Sequence, residues 1–141
     1  VNILIINGPN LNMLGLREPD IYGSQTYADL VQMIRLEAES LGVSVAFMQS
    51  NHEGDLVDAI QGAYQTADGI VINPGAYTHT SIALLDAVKA VGVPTVEVHI
   101  SDPEQREDFR HVSYVRAACI ATIKGHRLNG YLEALRLLAK K

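Results

Sequence analysis

Glu97, His99 and Ser101 alternate with Val96, Val98 and Ile100 in a β-branched run. In a strand, the period of two puts the polar three on one face and the apolar three on the other. Polar side chains in a covered strand must be hydrogen-bonded or they destabilise the fold. A histidine oriented by a carboxylate can move a proton near neutral pH. The same pair can equally satisfy itself as a core contact, and the run alone leaves both readings open. Besides these two, only His79 and the neighbouring His52 and Glu53 could gather for a metal, and their spacing is not of the zinc type.

Two further segments hold groups for chemistry. Asn7 to Gln25 is a stretch of about 19 residues with three glycines, two prolines, Arg17 and Tyr22. Strand-to-helix loops usually take about 2–6 residues, and those beyond roughly 12–15 are often functional. It reads either as a surface loop with Tyr22 packed for area or as a lid, about residues 10–24. Asn73-Pro74-Gly75-Ala76-Tyr77-Thr78-His79-Thr80-Ser81 offers a tight turn at Pro74 and Gly75. Its hydroxyls either cap the next helix or, with free N–H groups there, hold an anion. Asn73 is placed to read a carbonyl or hydroxyl. Arg106 and Arg110 are either cations for an anionic ligand or partners of the adjacent acids. His111 and His126 read as solvated surface, and Cys119, amid Ala-Ala-Cys-Ile-Ala, as a buried small hydrophobe.

These residues need a frame. Short β-like runs at 2–6, 43–48, 69–72, 95–100 and 117–124 alternate with helical patterns at 26–41, 53–66, 81–91 and 131–141. That alternation predicts right-handed βαβ crossovers in an α/β fold, a five-stranded parallel sheet of flavodoxin-like order 2-1-3-4-5 with helices on both faces. Ligands of such sheets sit beyond the carboxyl ends of the strands, at the switch point between strands one and three. The polar residues above all follow those ends.

Composition sets the limits. With 141 residues, 48% hydrophobic and 19% charged, the chain suits one domain, 1–141, and excludes disordered and low-complexity classes. Lys and Arg number 11 against 16 Asp and Glu, a net charge of −5 with no basic run. Broad binding to nucleic acid or an anionic membrane is therefore not expected. A single cysteine allows no internal disulfide, and no run approaches the roughly 18 apolar residues of a membrane span. A cytoplasmic protein of a reducing compartment fits. No P-loop, no G-x-G-x-x-G and no G-x-S-x-G elbow is present. A phospho-receiver would need acids where Asn7 and Asn73 stand. The four lysines, Lys89, Lys124, Lys140 and Lys141, sit poorly for imine catalysis. A flavin- or phosphate-binding module would need aromatic clamps and a hydroxyl-rich first loop; Trp is absent and the loop reads Asn-Gly-Pro-Asn.

Asn7-Gly8-Pro9-Asn10-Leu11-Asn12, Leu14-Gly15, Arg17-Glu18-Pro19, Tyr22-Gly23, the Asn73 to Ser81 segment, Glu97-Val98-His99-Ile100-Ser101 and Phe109-Arg110-His111 closely resemble the type II 3-dehydroquinate dehydratases across the whole chain. The resemblance implies dehydration of 3-dehydroquinate to 3-dehydroshikimate without metal or cofactor, by homo-oligomers built as trimers grouped into dodecamers. It implies Tyr22 as base with Arg17 beside it, His99 as general acid, and Asn10 near the departing hydroxyl. Asn73 would bind substrate hydroxyls, and Ile100 and Ser101 the carboxylate. His79, Glu97 and Arg110 would complete the pocket, with Gly75 in support, and Asp86 would reach a neighbouring subunit's site. The chain departs from the pattern at Val115-Arg116, where a small polar residue is common after the tyrosine. That departure is expected to touch only local surface or oligomer contacts.

The implied chemistry accounts for these residue types. An enolate forms when a proton beside a ketone is removed, so the site needs a base and stabilisation of oxyanion charge. A tyrosine working as phenolate near pH 7 must drop roughly three units, about 4 kcal/mol. One cation about 4 Å away supplies a similar amount at an effective dielectric near 20.

Overall fold

The computed structural model describes residues 1–16, 18, 20 and 23–140. Ile3, Ile5 and Ile6 of Asn2–Asn7 (β1) are fully buried, as a strand covered on both faces requires. Ser44–Gln49 (β2), Gly69–Asn73 (β3), Thr95–His99 (β4) and Ala121–Lys124 (β5) complete one sheet, ordered β2-β1-β3-β4-β5 with every pair parallel. This is the expected flavodoxin-like α/β arrangement.

Among the described residues four helices cover it: Tyr27–Leu41 (α1), Glu53–Gly62 (α2), Ile82–Val91 (α3) and Asn129–Ala139 (α4). Thr26 starts α1 with a reciprocal cap: its hydroxyl accepts from Asp29 N (3.1 Å) and the Asp29 carboxylate accepts from Thr26 N (2.9 Å). Ser81 starts α3 by accepting from Leu84 N at 3.0 Å, so that hydroxyl serves as a cap. Leu30 and Ile34 of α1 with Tyr131 and Leu135 of α4 pack on Ile3, Ile5, Val71, Val96 and Val98. Leu56 and Ile60 of α2 with Leu84 and Val88 of α3 pack on Ile6, Ile70 and Ile72. By alternation, Glu97 and His99 face away from the α1–α4 layer.

Three elements differ from the sequence pattern. The last strand is only Ala121–Lys124, because residues 115–118 close a 3-10 turn that buries Val115 and breaks the run expected from residue 117. α2 stops at Gly62 rather than 66: the Thr66 hydroxyl donates to Gly62 O at 2.7 Å and Gln65 is left-handed at φ 61°. The long first loop is partly built, since Leu11–Met13 forms a 3-10 turn whose Leu11, with Leu14 after it, joins the core.

At the switch point the exits of β1 and β3 cross closely. Gly8 N donates to Asn73 O at 2.8 Å, and a Cβ on Gly8 would lie 2.4 Å from Pro74 O. Gly75 takes φ 61°, and a Cβ there would lie 2.9 Å from Pro9 O. Only residues without a side chain permit this approach.

Candidate active site

The Glu97 carboxylate is wholly buried, and four side chains converge on it. His99 Nε2 (2.5 Å) and Ser113 Oγ (2.7 Å) reach Oε2, while Arg116 Nε (2.9 Å) and Thr122 Oγ1 (2.9 Å) reach Oε1. Burial pushes the carboxyl pKa up, but the bonds from His99, Arg116 and Ser113 outweigh it and hold the group at about 2. An ionised carboxylate only accepts, so His99 donates through Nε2, leaving Nδ1 as the ring nitrogen open to a ligand.

His99 borders a cavity of about 220 Å³ at the carboxyl edge of β1, β3 and β4. Asn10, Asn73, Gly75, His79, Ile100, Ser101 and Arg110 line it with His99, so eight expected site residues meet there. Arg106 lines it too, and its guanidinium lies 3.7 Å from Glu18. Among the described residues the lining carries two arginines and no carboxylate. Arg110 meets both of its readings: it faces the cavity and donates from Nε to Glu107 at 2.6 Å. His79 shares a hydrogen bond through Nδ1 with Val112 O at 2.7 Å; a carbonyl only accepts, so Nδ1 carries the proton. Burial lowers the His79 pKa, favouring a neutral ring with its other nitrogen as acceptor.

The asparagines are fixed from below. Asn73 Nδ2 donates to the Tyr131 hydroxyl at 3.0 Å, and its Oδ1 accepts from Gly75 N at 3.1 Å. The Tyr131 hydroxyl donates to Asn7 Oδ1 at 2.5 Å. Asn10, left-handed at φ 70°, donates its N–H to Asn51 Oδ1 at 3.0 Å, and Gln49 donates to Gly8 O at 3.1 Å. Sequence reasoning missed Tyr131, Gln49, Asn51, Ser113, Arg116 and Thr122. Asn7, at the end of a buried strand, was the available signal: a buried amide implies partners. Arg116, expected to matter only for surface contacts, instead pairs with Glu97, because the 3-10 turn carries it under the sheet edge.

Arg17 and Tyr22 lie outside the described residues. Asp86 is exposed on α3 and does not border the cavity. Cys119 is half-buried rather than buried; desolvation pushes its thiol up to about 12, which keeps it unreactive. His126 and His111 are exposed, the former against Glu133 at 2.6 Å. Among the described residues no three of His, Cys, Asp and Glu gather as a metal set, and no helix is long and apolar enough to cross a membrane.

Fold and site together define a flavodoxin-like α/β domain with a carboxylate-backed histidine over a cation-lined cavity, the equipment of a proton-transfer catalyst. Comparison narrows the class. Residues 1–139 match the family model described as dehydroquinase class II. A 3-dehydroquinate dehydratase of Corynebacterium glutamicum strain R is 57% identical over 137 residues, covering 97% of this chain and 94% of that one. The crystal structure of type II dehydroquinase from Butyrivibrio crossotus superposes with a TM-score of 0.96 at 50% identity, covering 98% of this chain and 97% of that one. That from Propionibacterium acnes gives 0.96 at 42%, covering 99% and 97%. The chain belongs to the class II dehydroquinase family.

Proposed function

We propose that this protein dehydrates 3-dehydroquinate to 3-dehydroshikimate and water by anti elimination through an enolate. The observation that carries the reading is His99, backed by the buried Glu97, bordering a cavity lined by Arg106 and Arg110, in a chain of this family. Tyr22, with Arg17 near it in sequence, takes the proton beside the ketone. His99 delivers a proton to the departing hydroxyl, with Glu97 holding the ring. Asn10 and Asn73 fix hydroxyls, Ile100 and Ser101 the substrate carboxylate, and His79, acting as acceptor, orients a further hydroxyl. Residues of the first loop, about 10–24, close over the bound substrate. In an assembly of trimers grouped into dodecamers, Asp86 would approach a neighbour's site. The same reaction serves aromatic biosynthesis or quinate breakdown.

Incubating the purified protein with 3-dehydroquinate and following the ultraviolet absorbance of the enone product tests the activity. Tyr22→Phe is expected to nearly abolish turnover, with ligand affinity held within a few-fold. His99→Ala should lower kcat by about 10²–10⁴-fold, the usual scale of general acid catalysis. Wild-type turnover in either variant would remove that residue from its role, and no enone from the parent protein would remove the function.

A further inference from the structure

We propose that Arg116 is a positioning residue for proton donation: by sharing the Glu97 carboxylate with His99, it sets how tightly the Glu97–His99 pair holds its proton. The inference rests on the reading of His99 as the acid. Arg116 does not border the cavity, and its side chain is one-third exposed (33%), so any effect on the reaction must pass through Glu97. Its Nε donates at 2.9 Å to Oε1, the oxygen that His99 does not hold, and its Nη2 donates more weakly, at 3.5 Å, to Oε2, which His99 and Ser113 share.

A buried carboxylate that faced an imidazole alone would favour the imidazolium strongly and make it a reluctant donor. With a guanidinium also bound to it, its negative charge is already compensated, and the protonated cluster of Glu97, His99 and Arg116 carries a net positive charge that favours release towards the substrate. The other charged or titratable groups around the pair lie on three sides. His79 interacts with both members from the cavity side, where Arg110 in turn acts on His79. Glu104 lies 4.0 Å from Arg116 and is held by Lys124 at 2.6 Å. Cys119, its thiol pushed up by burial, stays neutral.

The test is the pH dependence of kcat in Arg116→Gln, with Arg116→Lys beside it. Removing one positive charge several ångströms from the ring should move the alkaline limb of kcat upward by about one pH unit. Turnover at pH 7 should fall several-fold, because a tighter-held proton makes a weaker acid, and KM should change by less than about twofold. Arg116→Lys keeps the charge and should restore the limb. If Arg116→Gln does not fold, Ser113→Ala takes its place; it strips a donor from the oxygen that holds His99 and should move the limb the same way by less. A limb that stays fixed in the variants that fold, or a raised KM with a fixed limb, overturns the proposal. Titration of the His99 ring by NMR, assigned with His99→Asn, reads the same shift without turnover. Retained activity in His99→Ala would therefore sink the acid assignment while the ring titration still decides on Arg116.

Discussion

Tyr131 sets its hydroxyl between two amides, accepting from Asn73 and donating to Asn7, in a position with no access to solvent. Burial drives its phenol pKa up, as it does that of Tyr27. Both are therefore the opposite of a phenolate base: they remain protonated phenols and serve as structure. Tyr131→Phe leaves an amide oxygen and an amide N–H buried without partners, which costs about 2 kcal/mol or more. Urea unfolding should show that loss. Steady-state kinetics should show KM raised, because Asn73 at the cavity wall is then held through its Gly75 N–H bond alone. At this scale the sequence carried half of the constellation. The period of two located Glu97 against His99, and a strand end located Asn73, while Asn10 came only with the family resemblance. Arg116, Ser113 and Thr122 were hidden, because their distance to Glu97 is fixed only by how a 3-10 turn and an edge strand pack.

The loops leaving β1 and β3 form one unit, each too close to the other for a side chain. Gly75→Ala would place a Cβ 2.9 Å from Pro9 O on a residue at φ 61°, so strain and clash act together. A loss of roughly 2–4 kcal/mol is expected, since left-handed backbone alone costs an L-residue about 1–2 kcal/mol. Gly42→Ala is the control: φ is similar at 71°, nothing lies within 4 Å, and only the conformational part should be lost. Denaturant midpoints of the two variants measure the difference, and activity should fall only in Gly75→Ala. Elements with strong periodicity and caps, such as β1 and α1, were legible to within a residue or two. β5 and the end of α2 were not, because apolar residues in a 3-10 turn or a frayed end look like continuing strand or helix until tertiary contacts choose.

Across the whole molecule, a net charge of −5 coexists with a cavity whose lining, among the described residues, has two arginines and no carboxylate. Total charge governs long-range behaviour, and local placement governs the ligand. Acid should destabilise the fold in two stages. Burial lowers the His79 pKa below the 6.5 of a free ring, so as pH falls past 6.5 the unfolded chain binds a proton that the folded one refuses. Glu97, held at about 2 against an ordinary 4.5, contributes fully above 4.5 and loses its contribution as pH falls from 4.5 towards 2. That shift corresponds to about 3 kcal/mol at 1.36 kcal/mol per unit. Stability curves from pH 7 to 3 should show both slopes, and His79→Gln should remove the upper one only.

The bond between Tyr131 and Asn7 joins residues 124 positions apart. Chains leave the ribosome amino end first, at about 5–20 residues per second. Asn10, Asn73 and His99 are all synthesised before α4, yet the amide of Asn73 has no hydroxyl to hold it until Tyr131 arrives. The nascent chain thus carries its chemical groups unassembled, and the site becomes competent only when the final helix docks beneath the sheet.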